Sequence, residues 1–198
     1  MKARTAQILL MLAGFLAGVA SIVLVIVLVS GRDPVPGVGT SAIGGPFTLT
    51  DHNGRTVTDK DLRGRPFLVF FGFTHCPDVC PTALFEISEV LGKLGPDAQK
   101  VSALFVTIDP ERDTPGQMKD YLSSFDPHLL GLTGDPAAIA TVAKEYRVYV
   151  KKVPLDNGDY TMDHTALVYL MDKDGRFVAP FNLKRSAQDA AADLRRYL

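Results

Sequence analysis

Cys76 and Cys80 are the only cysteines in the 198-residue chain, and both lie in the stretch FGFTHCPDVCPTAL. A pair so spaced can close a disulfide staple, exchange disulfides with a partner, or supply two ligands to a metal ion. Disulfide exchange and metal binding both need thiolate rather than thiol. The flanking residues favour thiolate. An apolar run precedes Cys76, and Cys80 stands just before Pro81, which suits the first turn of a helix. Unpaired N–H groups and the positive end of a helix dipole would face both sulfurs there and lower their pKa. Redox pairs at a helix start are usually separated by two residues. Here Pro77, Asp78 and Val79 intervene. The longer turn can bring the sulfurs together or hold them apart around one ion. Two sulfurs from one short loop rarely complete a metal site, so a third donor must come from elsewhere.

The chain has four histidines. His52 lies beside the Asn53-Gly54 turn and reads as solvated. His128 precedes a short strand. His75 adjoins Cys76, but neighbours at a strand end tend to point different ways. His164 closes a polar loop, 150–163, and begins the apolar run HTALVYL. It is either a ligand or a satisfied strand-end histidine.

The elements that must position these residues alternate along the chain. The segment 47–58 carries a hairpin signal in Asn53-Gly54. The run PFLVFFGF, 66–73, reads as a strand buried on both faces and therefore central in its sheet. A helix follows from Pro81, with Leu84, Ile87, Val90, Leu91 and Leu94 at helical spacing, and stops at Gly95-Pro96. VSALFVTID is a second buried strand, and Thr114-Pro115 opens a second helix. HLLGLTGD gives a short strand, and Asp135 caps a helix that starts with Pro136. Residues 164–181 read as a hairpin about Asp174-Gly175, and a final helix closes the chain. The order predicts a mixed α/β sheet flanked by helices.

That order, with cysteines at the tip of the first buried strand, resembles thioredoxin-like folds. In those folds the loop facing the cysteine pair usually carries a cis-proline before the corresponding strand. His164 takes that place here, setting an imidazole opposite two sulfurs. Two thiolates and one imidazole form a soft three-coordinate set that suits Cu(I) and tolerates Cu(II). Zinc more often requires a fourth ligand. An incomplete shell near the surface suits transfer better than storage.

The first thirty residues differ from the rest. Ile8 to Val29 carries no charge over 22 residues, enough as a helix to span roughly 33 Å against a bilayer core of about 30 Å. An uncleaved anchor is expected over residues 1–30. A cleaved signal peptide, with its shorter apolar core, is the alternative. Lys2 and Arg4 before the segment favour a cytoplasmic tail and an exported domain, hence a single-pass protein of a bacterial inner membrane with its C-terminal domain in the periplasm. Residues 31–46 are half Gly and Pro and read as a tether; residues 47–198 form the domain. The net charge of −1 brings no basic patch for nucleic acid.

The blocks GFTHCPDVCPTAL, VTIDPERDTP and YTMDHTALVYLMDKDG resemble the signature blocks of the Sco/SenC family, membrane-anchored copper-binding proteins with thioredoxin-like folds. The resemblance implies that Cys76, Cys80 and His164 are the ligands of one copper ion, and that Cys76 and Cys80 form a reversible disulfide. It also implies a role in assembling the dinuclear copper centre of cytochrome c oxidase subunit II. Another periplasmic copper chaperone is a further expected partner. Asp78, Asp109 and Asp113 match acidic positions of the family. They read either as turn and cap residues or as supports of the site. Three functions compete: a metallochaperone without catalytic turnover, a thiol–disulfide reductase acting on the oxidase subunit's cysteines, and a peroxidase. The peroxidase ranks last, because no arginine accompanies the cysteines in FTHCPDVC.

Overall fold

The computed structural model describes Met11, Gly14, residues 16–22, Leu24 and residues 43–198. The chain divides into two compact units, Met1–Gly39 and Thr40–Leu198. In the first, the described residues are helical and exposed. Most of the expected anchor and most of the tether lie outside the described residues. Among the described residues no helix is long and apolar enough to cross a membrane.

The second unit is built on a seven-stranded mixed sheet. Its strands are β1 (Thr48–Asp51), β2 (Thr56–Thr58), β3 (Phe67–Gly72), β4 (Ser102–Thr107), β5 (Leu129–Thr133), β8 (Val168–Met171) and β9 (Phe177–Pro180), in the order β2-β1-β5-β4-β3-β8-β9. Strands β3, β4 and β5 are parallel. Strand β8 runs antiparallel to β3, and β9 to β8. Every residue of β3 is buried, as its unbroken apolar run requires of a strand covered on both faces. The arrangement is thioredoxin-like.

Four α-helices flank the sheet: α1 (Val79–Leu94), α2 (Pro115–Leu122), α3 (Pro136–Glu145) and α4 (Ala187–Leu194). The apolar stripe Ala83, Leu84, Ile87, Val90, Leu91 and Leu94 of α1 is buried, and α1 packs along α4, whose Ala190, Ala191 and Leu194 are buried. Small residues on α4 allow that close approach. The expected caps are present: Thr114 accepts from the Gln117 N–H and Asp135 from the Ala138 N–H.

Two expectations are corrected. The segment 150–163 is not a loop. Strands β6 (Val150–Pro154) and β7 (Tyr160–His164) form a separate antiparallel ribbon. Neither strand has a fully buried face, so neither shows the alternation that marks a strand; the available signal was Asn157-Gly158 at the turn. His164 accordingly ends β7, paired across from Val150, and does not begin β8. Helix α1 starts at Val79, so Cys80 lies inside its first turn rather than ahead of it.

Candidate metal and thiol site

Three separate segments converge at the C-terminal end of β3. The strand delivers the chain to a turn, 73–78, that carries Cys76 half-buried at its surface. Helix α1 then draws Cys80 under the turn, where it is 0% exposed. Both cysteines are free thiols. The Cys80 backbone N–H donates to Cys76 Sγ at 3.4 Å, one of the otherwise unpaired donors of a helix start. From the far end of the ribbon His164 brings Nε2 to 3.8 Å from Cys80 Sγ.

The imidazole is held in one tautomer. Its Nδ1 lies 3.0 Å from the Thr165 carbonyl oxygen, which can only accept, so Nδ1 carries the proton. The lone pair of Nε2 then faces the Cys80 sulfur. Phe70 and Phe73 meet the ring edge-on, with centroids 6.4 and 6.0 Å away. Burial lowers the His164 pKa, against the opposing pull of the Thr165 carbonyl and Asp163. A neutral imidazole with a free Nε2 is the form that binds a metal.

The expected depression of both cysteine pKa values fails for Cys80. Burial pushes its thiol well up, although the Phe73 backbone N–H pulls the other way. Loss of solvation outweighs the helix terminus, because the sulfur is under the turn and not at its rim. Among the described residues no three His, Cys, Asp or Glu side chains yet converge as a ready metal cage. Cys80 and His164 meet each other instead, so a metal ion held by both would have to replace the thiol proton and stand between them.

Two acidic residues hold the halves of this site. Asp113, 0% exposed, accepts from the Thr74 hydroxyl at 2.6 Å, the Thr74 N–H at 3.1 Å and the Thr107 hydroxyl at 2.6 Å. It fixes the turn two residues before Cys76. Burial raises its pKa, while the bonds from Thr107 and Thr74 lower it. Asp109 reaches the other way. It accepts from the Tyr160 hydroxyl at 2.9 Å and pairs with Arg112. The Arg112 guanidinium donates to the Tyr160 carbonyl at 3.0 Å and lies over the Tyr160 ring, 3.7 Å from its centroid. Lys152 covers the same ring at 3.7 Å and pairs with Glu111. The turn 109–113 thus grips the cysteine turn with one carboxylate and the histidine ribbon with the other. Spacing alone did not reveal that Thr74, Arg112 and Tyr160 take part, since each acts across 39 to 51 residues of sequence. Asp78 is at the N-cap position of α1, but its side chain makes no cap hydrogen bond, so the cap reading fails there.

The remaining histidines are elsewhere. His52 is not merely solvated: its Nδ1 accepts from the Gly131 N–H at 3.0 Å and ties the end of β1 to β5. His128 pairs with Asp126 at 2.7 Å. His75 is exposed beside Cys76, its Nδ1 3.1 Å from the Thr74 hydroxyl.

Gly72, the last residue of β3, was also missed. A Cβ there would lie 2.7 Å from Phe105 Cε2 and 2.8 Å from Cys80 Sγ. Both neighbours are 0% exposed, so neither can step aside into solvent. Gly72→Ala is expected to cost about 1–3 kcal/mol by overpacking, a fall of roughly 2–12 °C in melting temperature. Thermal unfolding of the metal-free protein checks this; an unchanged midpoint would refute the close-packing argument.

The SCO1/SenC family model matches residues 36–198. The structure of Bradyrhizobium japonicum ScoI with copper bound is 72% identical, with a TM-score of 0.78 over 79% of this chain and 99% of that one. Protein SCO1 homolog 1, mitochondrial, of Arabidopsis thaliana is 43% identical over 144 residues, which is 72% of this chain but only 43% of that protein's length. The structure of BsSco, a member of the Sco family of cytochrome c oxidase assembly proteins with a disulfide switch, is 26% identical, with a TM-score of 0.62 over 77% of this chain and 91% of that one. The match runs through the cysteine turn, the 109–113 turn and the histidine ribbon alike, and the chain belongs to the SCO1/SenC family.

Proposed function

We propose that this protein is a membrane-anchored copper metallochaperone that binds one copper ion through Cys76, Cys80 and His164 and helps assemble the copper centre of cytochrome c oxidase subunit II. The observation that carries the reading is the His164 lone pair, held by Thr165 and directed at the Cys80 sulfur. Deprotonated, Cys76 and Cys80 add two soft donors to that nitrogen, a set suited to Cu(I). Copper in the Bradyrhizobium relative and the oxidase-assembly role of BsSco's family support the assignment. Because Cys76 is at the surface, the incoming ligands of a partner can reach the ion there first. The apolar segment 8–29 is the anchor, with the tether 31–46 leading to a periplasmic domain.

The test is copper stoichiometry in the purified full-length chain, with X-ray absorption to identify the ligands. One copper per chain, bound by two sulfurs and one nitrogen, is the expected result. Absence of copper, or a shell without sulfur, would sink the reading.

A second reading is favoured by the hydrogen bond from the Cys80 N–H to Cys76 Sγ, which also suits an attacking sulfur. The Cys76 thiolate would attack a partner disulfide. Cys80 would then displace the partner from the mixed disulfide, leaving Cys76–Cys80 oxidised and the partner's two thiols reduced.

A further inference from the structure

Helix α3, the ribbon β6–β7 and the turn 109–111 enclose an open groove of about 690 Å³. Its floor is apolar, with Ile108, Ile139, Ala143 and Val148 buried in it. Val150 and Met162 line it from the ribbon, and Ala140 and Lys144 from the exposed face of α3. Ile108 follows the end of β4 and Pro136 the end of β5, so the groove lies at the carboxyl ends of the parallel strands, the same end as the cysteine turn after β3. Ligands and partners favour that end of such sheets.

The groove backs onto the support of His164. Tyr149, in its lining and 54% exposed, exchanges two hydrogen bonds with Thr165. Its carbonyl accepts from the Thr165 N–H at 3.1 Å, and its N–H donates to the Thr165 hydroxyl at 3.0 Å. Thr165 in turn holds His164 Nδ1, and Val150 is the cross-strand neighbour of His164. Charge selects the occupant. Asp109 is taken up by Arg112 and Tyr160, and Glu111 by Lys152. Lys144, exposed on the last turn of α3, is left to set the charge of the rim. An apolar floor beside an exposed tyrosine and a basic rim suits an apolar protein segment that carries carboxylates.

We propose that this groove docks an acidic, apolar segment of the protein that receives the copper, the oxidase subunit of the reading above, on which this proposal rests. The docked segment touches the residues that hold His164, not the ligands themselves, and leaves Cys76 open to the acceptor.

The copper-loaded full-length chain, titrated with purified oxidase subunit II, tests this. Ala140→Trp fills the groove from an exposed helix position, and affinity for the subunit should fall more than about tenfold. Lys144→Glu should slow association roughly threefold to tenfold at low salt, with the gap closing at high salt. Thr141→Trp, exposed on the same helix but outside the groove, should leave both unchanged. Copper content and melting temperature should stay at wild-type values in all three. Unchanged affinity in Ala140→Trp, or an equal loss in Thr141→Trp, would overturn the proposal. So would a salt-independent response to Lys144→Glu. Loss of self-association in place of loss of the complex would also overturn it, by giving the groove to a second copy of the chain. A wild-type chain that takes up no copper would overturn the parent reading, and this proposal with it, before any variant is made.

Discussion

His164→Ala is expected to abolish copper binding while leaving Cys76 and Cys80 able to oxidise and be reduced again. In the proposed site the imidazole supplies the one nitrogen donor, and alanine offers nothing in its place. The loss in affinity should exceed the roughly 10–100-fold that follows removal of a ligand's outer partner, because here the ligand itself goes. The cysteine pair is held independently of the ring. Helix α1 and the Asp113–Thr74 bonds position both sulfurs, and the Cys80 N–H remains on Cys76. Stability should change little, since His164 ends a ribbon lying outside the main sheet. The variant therefore separates the two proposed functions. Copper titration and thiol counting under oxidising and reducing conditions measure the two properties in one sample. If oxidase assembly persists undiminished in the variant, metal delivery is not the function and thiol–disulfide exchange is.

The second large effect is on stability. Asp113→Ala leaves the Thr74 N–H and the hydroxyls of Thr74 and Thr107 without their acceptor in a buried site. Each unpaired buried donor costs on the order of 1–3 kcal/mol. Relief of the buried carboxylate's own desolvation offsets part of that sum. A net loss of about 3 kcal/mol is expected, or roughly 6–12 °C in melting temperature. Copper affinity should also fall, though less than in His164→Ala, because the turn before Cys76 is no longer fixed. Calorimetry of the metal-free variant decides the matter. A melting temperature within about 2 °C of wild type would mean that the Asp113 network does not hold the turn. Thr74→Val removes only one hydroxyl of the three donors and should give a smaller shift of the same sign.

The pairing of these two variants shows how the site is divided. One half is a helix start under a buried strand. The other is a polar ribbon attached through Tyr160 and Arg112 to Asp109. Asp109 and Asp113 lie one turn apart on the same short segment, joined by the Asp113 N–H to the Asp109 carbonyl at 2.9 Å. The two halves are therefore joined through a few hydrogen bonds on this segment. On the proposed copper reading, an ion bound between Cys80 and His164 would bear on both grips at once.

Much of this was legible in the residues. The apolar runs 66–73 and 101–109 announced the buried parallel pair β3 and β4, because a strand covered on both faces has no polar alternation to obscure it. The spacing of Leu84, Ile87, Val90, Leu91 and Leu94 marked the buried face of α1, and local cap chemistry marked the starts of α2 and α3. Cys76, Cys80 and His164 were singled out by residue type and by position relative to these elements.

Tertiary structure alone decided the rest. The ribbon β6–β7 buries no full face, so no periodic signal was written into it. It is held through Lys152 by Glu111 and through Tyr160 by Asp109 and Arg112, across long stretches of chain. The Cys80 pKa depended on depth beneath the turn, which overrode the helix terminus that sequence could see. The partners of Asp109 and Asp113 were equally hidden. Sequence shows which groups can accept a hydrogen bond, but folding determines which donors arrive and how much water is left to compete with them.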